Sequence, residues 1–219
     1  ATQPWKITIA EDWGDLDSIS RSTSQNGAGF ESQWDGVFVH PVRGLATTVN
    51  DSDRSMFELR ESVLHSFNGQ ATQRVIFTES HDEAANQPRL PEAIWPGNAD
   101  SWEAKKRSTL AAAAVFTSPG IPMIFQGQEF GLQTGWNDDN GNGDYEEKLQ
   151  YRPINWSYLG TESAQSHLDH YSKLIHFRKK NPALYKGTFY DLWRYDPERV
   201  IVYGHKDESA GNNNDQVVV

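Results

Sequence analysis

The sequence predicts an α/β chain, a parallel sheet covered by helices and followed by the opening of a small antiparallel β domain. Three observations predict it. Short β-branched or apolar runs alternate with stretches of helical periodicity as far as about residue 181. A continuous apolar run, residues 121 to 125 (IPMIF), stands between two helical stretches, as a strand covered on both faces does. From about residue 187 onward, strand-like pieces follow one another through turn signals with no helix between them. This change of pattern divides the chain into residues 1–182 and residues 183–219, the second unit ending in mid-strand at Val217, Val218 and Val219.

The elements follow in order. Residues 6 to 11 are a short β-branched run that ends in Glu11 and Asp12, and residues 29 to 35 form a second short strand. Over residues 53 to 67, Met56, Leu59, Val63, Leu64 and Phe67 fall at helical spacing, with Asp51 or Asp53 placed to cap the helix. Residues 74 to 80 form the third strand and run straight into His81, Asp82 and Glu83. Residues 82 to 100, rich in Pro, Asn and Gly, read as a long binding loop. A helix from Ser101 to about Thr117 stops before Pro119 and Gly120, the apolar strand follows, and a last helix spans about 163 to 180.

Composition excludes several classes. With 37% hydrophobic and 23% charged residues, 17 Gly and 10 Pro, the 219 residues describe an ordinary globular chain of one or two domains. A formal net charge of −10 repels phosphate backbones, so nucleic acid is a poor partner. Cysteine is absent, which removes disulfides, thiolate metal sites and Cys nucleophiles. No apolar run approaches the roughly 18 residues of a membrane span, and the first ten residues lack the basic and apolar regions of a signal peptide. Eight Trp, eight Tyr and ten Phe suit either packing or stacking on sugar rings.

Chemistry concentrates at two strand ends. Glu11, with Asp12, follows the first strand, and Asp82, with Glu79 and Glu83 nearby, follows the third. In repeated β/α units such ends share one open face, and two carboxylates flanking a bond are what glycosidic cleavage requires. One must be held protonated while the other stays ionised. His81 beside Asp82 offers a donor and an acceptor suited to vicinal hydroxyls. Taken singly, a loop cap explains Glu11, and an exposed polar pair explains His81 and Asp82 equally well.

The segments IAED (9 to 12), GF and WD (29 to 35), FTESHDE (77 to 83) and PGIPMIFQGQEF (119 to 130), together with PGNADS (96 to 101) and KKRSTL (105 to 110), form a consistent series. In order and spacing they resemble the second half of the alpha-amylase family of glycoside hydrolases, and most of all its glucan-branching enzymes and related bacterial amylases. The resemblance implies a (β/α)₈ barrel, of which this chain supplies strands five to eight, followed by an antiparallel β domain. It implies that Glu11 is the general acid/base, that Asp82 stabilises the transition state, and that His81 binds the same sugar. It also implies cleavage of α-1,4-glucosidic bonds in starch- or glycogen-type glucans by a retaining mechanism, by hydrolysis or by transfer.

The family's nucleophilic Asp belongs to a Gly-Phe-Arg-x-Asp segment at strand four, and no such segment occurs here. The expectation is therefore a chain inactive by itself, whose open strand edges require the missing half-barrel or self-association. A non-catalytic glucan-binding or structural module is the alternative. Trp13, Trp34, Trp95 and Trp136 are candidate sugar platforms, while Gln128 and Glu129 are expected to close hydrogen bonds beneath the site. No cofactor is required. Asp138, Asn140, Asn142 and Asp144, with Gly143 at the turn, match the first part of a calcium loop, although Leu149 stands where the bidentate Glu is expected.

Overall fold

The computed structural model describes residues 5–132, 153–210 and 215–219. Four short strands, β1 (Ile9–Ala10), β2 (Ser32–Trp34), β3 (Arg74–Ile76) and β4 (Ile121–Pro122), pair in parallel in the order β1-β2-β3-β4. The register sets Ala10 against Gln33, Trp34 against Val75, and Ile76 against Pro122. Helices α1 (Asp17–Ser20), α2 (Gly36–Thr47), α3 (Met56–Leu64), α4 (His81–Asn86), α5 (Leu90–Ile94), α6 (Trp102–Thr117), α7 (Glu162–Lys180) and α8 (Ala183–Lys186) fill the connections and the final turn. A separate antiparallel sheet, β5 (Thr188–Tyr195), β6 (Val200–Asp207) and β7 (Asp215–Val218), follows in the order β5-β6-β7.

The parallel ladders are shorter than the sequence suggests, two or three residues each instead of five to seven. The run at 121 to 125 contributes only its first two residues to the sheet, and Ile121 and Ile124 stay 36% and 37% exposed, so it is not covered on both faces. Gly120, at φ +141°, brings the chain into β4. A Cβ there would approach the Ile76 side chain to 3.0 Å, so the close passage over β3 requires glycine.

Three helical features correct the sequence reading. Helix α2 went unread because Pro41, Gly36, Gly44 and three valines argue locally against a helix. Its burial of Phe38, Val39 and Val42 under the sheet outweighs those propensities, and the Asp35 carboxylate caps it by accepting from Phe38 N at 3.1 Å. Helix α3 is capped by Ser55, which accepts from Glu58 N at 3.2 Å, and not by Asp51 or Asp53, which lie in a preceding 3₁₀ turn. The expected long loop at 82 to 100 is mostly the two short helices α4 and α5.

The main core lies between the sheet and α2, α5 and α6, where Phe38, Val42, Ile76, Leu90, Ile94, Ala111 and Val115 pack together. Arg74 crosses this layer fully buried. Its Nε lies 2.7 Å from the equally buried Asp35 carboxylate, its guanidinium donates to Ser62 O at 2.8 Å, and desolvation lowers its pKa to about 10. Helix α7 packs Tyr171 against Ala112 and Phe116 of α6. The antiparallel sheet joins this body where the Tyr203 hydroxyl meets Thr117 Oγ1 at 2.6 Å and His205 Nε2 meets Thr117 O at 2.7 Å. Among the described residues, no helix is long and apolar enough to cross a membrane.

Candidate active site

Parallel strands point their C-terminal ends the same way, so the residues after β1, β2 and β3 gather on one face. Glu11 follows β1 directly. After β3 the chain stays buried through Phe77, Thr78, Glu79 and Ser80 and then turns into α4. Ser80 caps that helix: its Oγ accepts from Asp82 N at 3.1 Å and donates to the Glu83 carboxylate. His81 and Asp82 thereby occupy the first turn, facing Glu11.

The three side chains meet. His81 Nε2 lies 3.4 Å from Glu11 Oε1 and 3.7 Å from Asp82 Oδ1, and one polar atom of each residue lies within 4.8 Å of those of the other two. Their side chains are 45%, 46% and 30% exposed for His81, Glu11 and Asp82, so the group is open to a ligand from solvent. Chemically it offers two carboxylates with an imidazole between them, able to hold a sugar hydroxyl and to pass a proton to an adjacent oxygen.

Aromatic rings border this group. Trp34 stands edge-on to His81 with ring centroids 5.8 Å apart, and edge-on to buried Phe77 at 4.9 Å. Trp13 packs edge-on to Trp34 at 5.8 Å and lies 5.4 Å from His40, a residue the sequence did not single out. Trp13 keeps 39% of its surface exposed, whereas Trp34 also packs on the Val39, Val75 and Phe77 cluster. Trp95 is exposed, and among the described residues no ring contact joins it to the group. Trp136 and the Asp138 to Asp144 loop lie outside the described residues.

Other acids near the strand ends have different duties. Asp12 accepts from Gly14 N at 3.0 Å in a turn, and Asp35 is buried between Arg74 and His65 Nδ1, the latter at 3.0 Å. Asp15 accepts from Gly36 N at 3.0 Å, and burial raises its pKa, with the nearby charge of Asp35 adding to the rise. Beneath the site, Gln128 Nε2 donates to Thr78 Oγ1 at 2.6 Å while its Oε1 accepts from Phe125 N at 3.0 Å, a bracing role that its position after the last strand foretold. Sequence reasoning missed Arg43 and Arg89, two buried cations that grip the segment carrying His81 and Asp82. A signal was available for Arg43, the only Lys, Arg, Asp or Glu in residues 36 to 47.

Alpha-amylase 2 of Dictyoglomus thermophilum is 31% identical over 140 residues, which cover 63% of this chain and 21% of that protein. The 1,4-alpha-glucan branching enzyme GlgB of Mycolicibacterium paratuberculosis is 29% identical over 140 residues, 63% of this chain and 18% of that one. Among solved structures, the debranching enzyme of Nostoc punctiforme superposes with a TM-score of 0.58 at 22% identity, over 92% of this chain and 39% of that chain, a likeness of fold. No family model matches. The chain spans about a fifth of the length of the curated relatives it matches. Its parallel sheet with a separate antiparallel sheet fits a partial barrel followed by a β domain.

Proposed function

Because the chain belongs to the alpha-amylase family of glycoside hydrolases, we propose that it forms part of a retaining enzyme acting on α-1,4-glucosidic bonds of starch- or glycogen-type glucans. The observation that carries this reading is the convergence of Glu11, His81 and Asp82 at one end of the parallel sheet. In this reading β1 to β4 are barrel strands five to eight, within residues 1–182, and residues 183–219 open the β domain.

Glu11 then protonates the leaving glycosidic oxygen and later takes a proton from the attacking acceptor, water for hydrolysis or a sugar hydroxyl for transfer. Its solvent exposure suits a group that exchanges its proton each cycle. Asp82 sets its carboxyl group where positive charge develops at the anomeric carbon, and His81 donates to a hydroxyl of the same sugar. Trp13 presents its open surface to a neighbouring sugar, with Trp34 holding it in place and Trp136 a further platform.

Retaining cleavage also needs a nucleophile, which the resemblance places in a Gly-Phe-Arg-x-Asp segment that these 219 residues do not contain. The chain alone is accordingly inactive, and a polypeptide supplying the remaining strands restores turnover. Self-association covers the edges of β1 and β4 without adding a nucleophile. A chromogenic maltoside tests this: no turnover by the chain alone, with maltooligosaccharide binding by calorimetry that weakens in Asp82→Asn, is expected. Robust turnover lost in both Glu11→Gln and Asp82→Asn overturns the inactivity and requires another carboxylate as nucleophile. Buried, paired Asp35 is a poor choice for that role. Absence of both binding and turnover overturns the glucan reading and leaves the structural module. Calcium at Asp138, Asn140, Asn142 and Asp144 belongs to the same proposal, and a thermal midpoint unmoved by added calcium rejects it.

A further inference from the structure

We infer that Arg43 and Arg89 are positioning residues for the His81 and Asp82 pair, acting as two cross-ties at the base of the segment that carries it. The inference rests on the glucan-binding reading only for its binding readout. His81 and Asp82 open a helix of six residues, α4. A helix that short has little stability of its own, so its place is set by whatever grips its two ends.

Arg43, on α2, grips both. Its Nη1 donates to Thr78 O at 3.2 Å on the entering side, while Nη2 donates to Pro88 O and Nε to Gln87 Oε1 at 3.2 Å on the leaving side. Arg89 makes the second tie. Its Nε donates to Glu79 Oε2 at 2.7 Å, and the other oxygen of Glu79 accepts from Leu90 N, so residue 79 is bound to residues 89 and 90. The remaining nitrogens of Arg89 reach Gln126 O at 3.3 Å, and its guanidinium lies over the Phe125 ring at 4.9 Å. The helix with His81 and Asp82 is thus closed at its neck from two sides and referenced to α2 and to the segment after β4.

Stability alone does not call for this arrangement. Burying two guanidiniums, 4% and 2% exposed, costs desolvation that well-packed apolar side chains avoid. What a planar fork supplies is several hydrogen bonds in fixed directions, which a lysine ammonium cannot reproduce. A displacement of about 1 Å in a catalytic group is enough to cost up to about a hundredfold in function.

The test compares Arg43→Lys and Arg89→Lys with Arg178→Lys in the full chain. Arg178 is a control of the same kind: it donates to Phe116 O and Gly120 O, both at 2.8 Å, at the entry to β4, away from the site. Three quantities are read: the thermal midpoint, the His81 ring resonance (assigned through His81→Gln), and the maltooligosaccharide Kd. Arg43→Lys and Arg89→Lys should shift the His81 resonance and weaken binding by about tenfold or more, while Arg178→Lys lowers the midpoint and moves neither. Should a lysine variant not fold, Gln87→Ala removes one exposed acceptor of Arg43 and should shift the resonance in the same direction by less. A His81 resonance unmoved in the site variants, or moved equally in Arg178→Lys, overturns the inference. If the unaltered chain binds no maltooligosaccharide, the glucan reading fails while the resonance still decides the positioning.

Discussion

At the end of β1, the carboxylate of Glu11 is nearly half exposed and, among the described residues, meets its surroundings chiefly through His81. At the end of β3, Thr78, Glu79 and Ser80 are buried, Glu79 is paired with Arg89, and the segment is tied again to α2, α5 and the turn after β4. The two ends share one face of the sheet, with β2 between their strands, and carry the two candidate carboxylates, yet one is loose and the other braced. The difference suits a division of labour. A group that cycles its proton gains from access to solvent, whereas a group that stabilises developing charge works by being fixed beforehand.

The largest expected effect comes from cutting the brace. Glu79→Ala leaves Arg89 buried without its carboxylate and should cost about 3–5 kcal/mol in urea unfolding. A loss below about 1 kcal/mol would erase the contrast between the ends.

Acidification should act on the same braced side. Helix α7 supports it from beneath: burial, reinforced by the charge of Glu79, raises the pKa of Tyr171. One turn earlier, burial with the nearby charges of Lys105 and His170 lowers that of His167 to about 3. Between the ordinary histidine value of 6.5 and about 3, the unfolded chain binds a proton that the folded chain refuses. Stability therefore falls as pH falls below about 6.5, by up to about 1.4 kcal/mol per pH unit. Thermal midpoints at pH 7 and pH 5 should differ more in the unaltered chain than in His167→Gln, and parallel slopes would remove His167 from the account.

A smaller loss, about 1 kcal/mol, is expected for Ser80→Ala, which uncaps α4. Hydrogen exchange over residues 81 to 86 should rise while that of β1 and β2 stays the same. Smallest of all is Glu11→Gln, expected within about 0.5 kcal/mol of the unaltered chain by calorimetry. A larger change would show that the β1 end is braced after all.

Much of this contrast was legible in the sequence where local chemistry decides. Ser101 caps α6 where the sequence starts that helix, accepting from Ala104 N at 3.2 Å. The change to an antiparallel pattern after residue 187 is likewise visible, as is the meeting of Glu11, His81 and Asp82, which follows from the strand ends they occupy. What was not legible depends on partners far along the chain. Helix α2 exists because its valines find the sheet, against the preference of Pro41. The neck around α4 depends on Arg43, 35 residues before the Thr78 carbonyl it holds. No window of local composition encodes such a pairing.

The Asp35 and Arg74 pair has a consequence for how the chain reaches its fold. Asp35 follows the last residue of β2 and Arg74 is the first of β3, so their bond spans neighbouring strands at one defined offset. A slip of two residues keeps every side chain on its proper face and escapes correction by hydrophobic pattern alone. It nevertheless slides the guanidinium by about 6.6 Å, stranding two opposite charges in a dry layer. A ladder misaligned in this way therefore carries an electrostatic cost that the hydrophobic pattern alone does not impose.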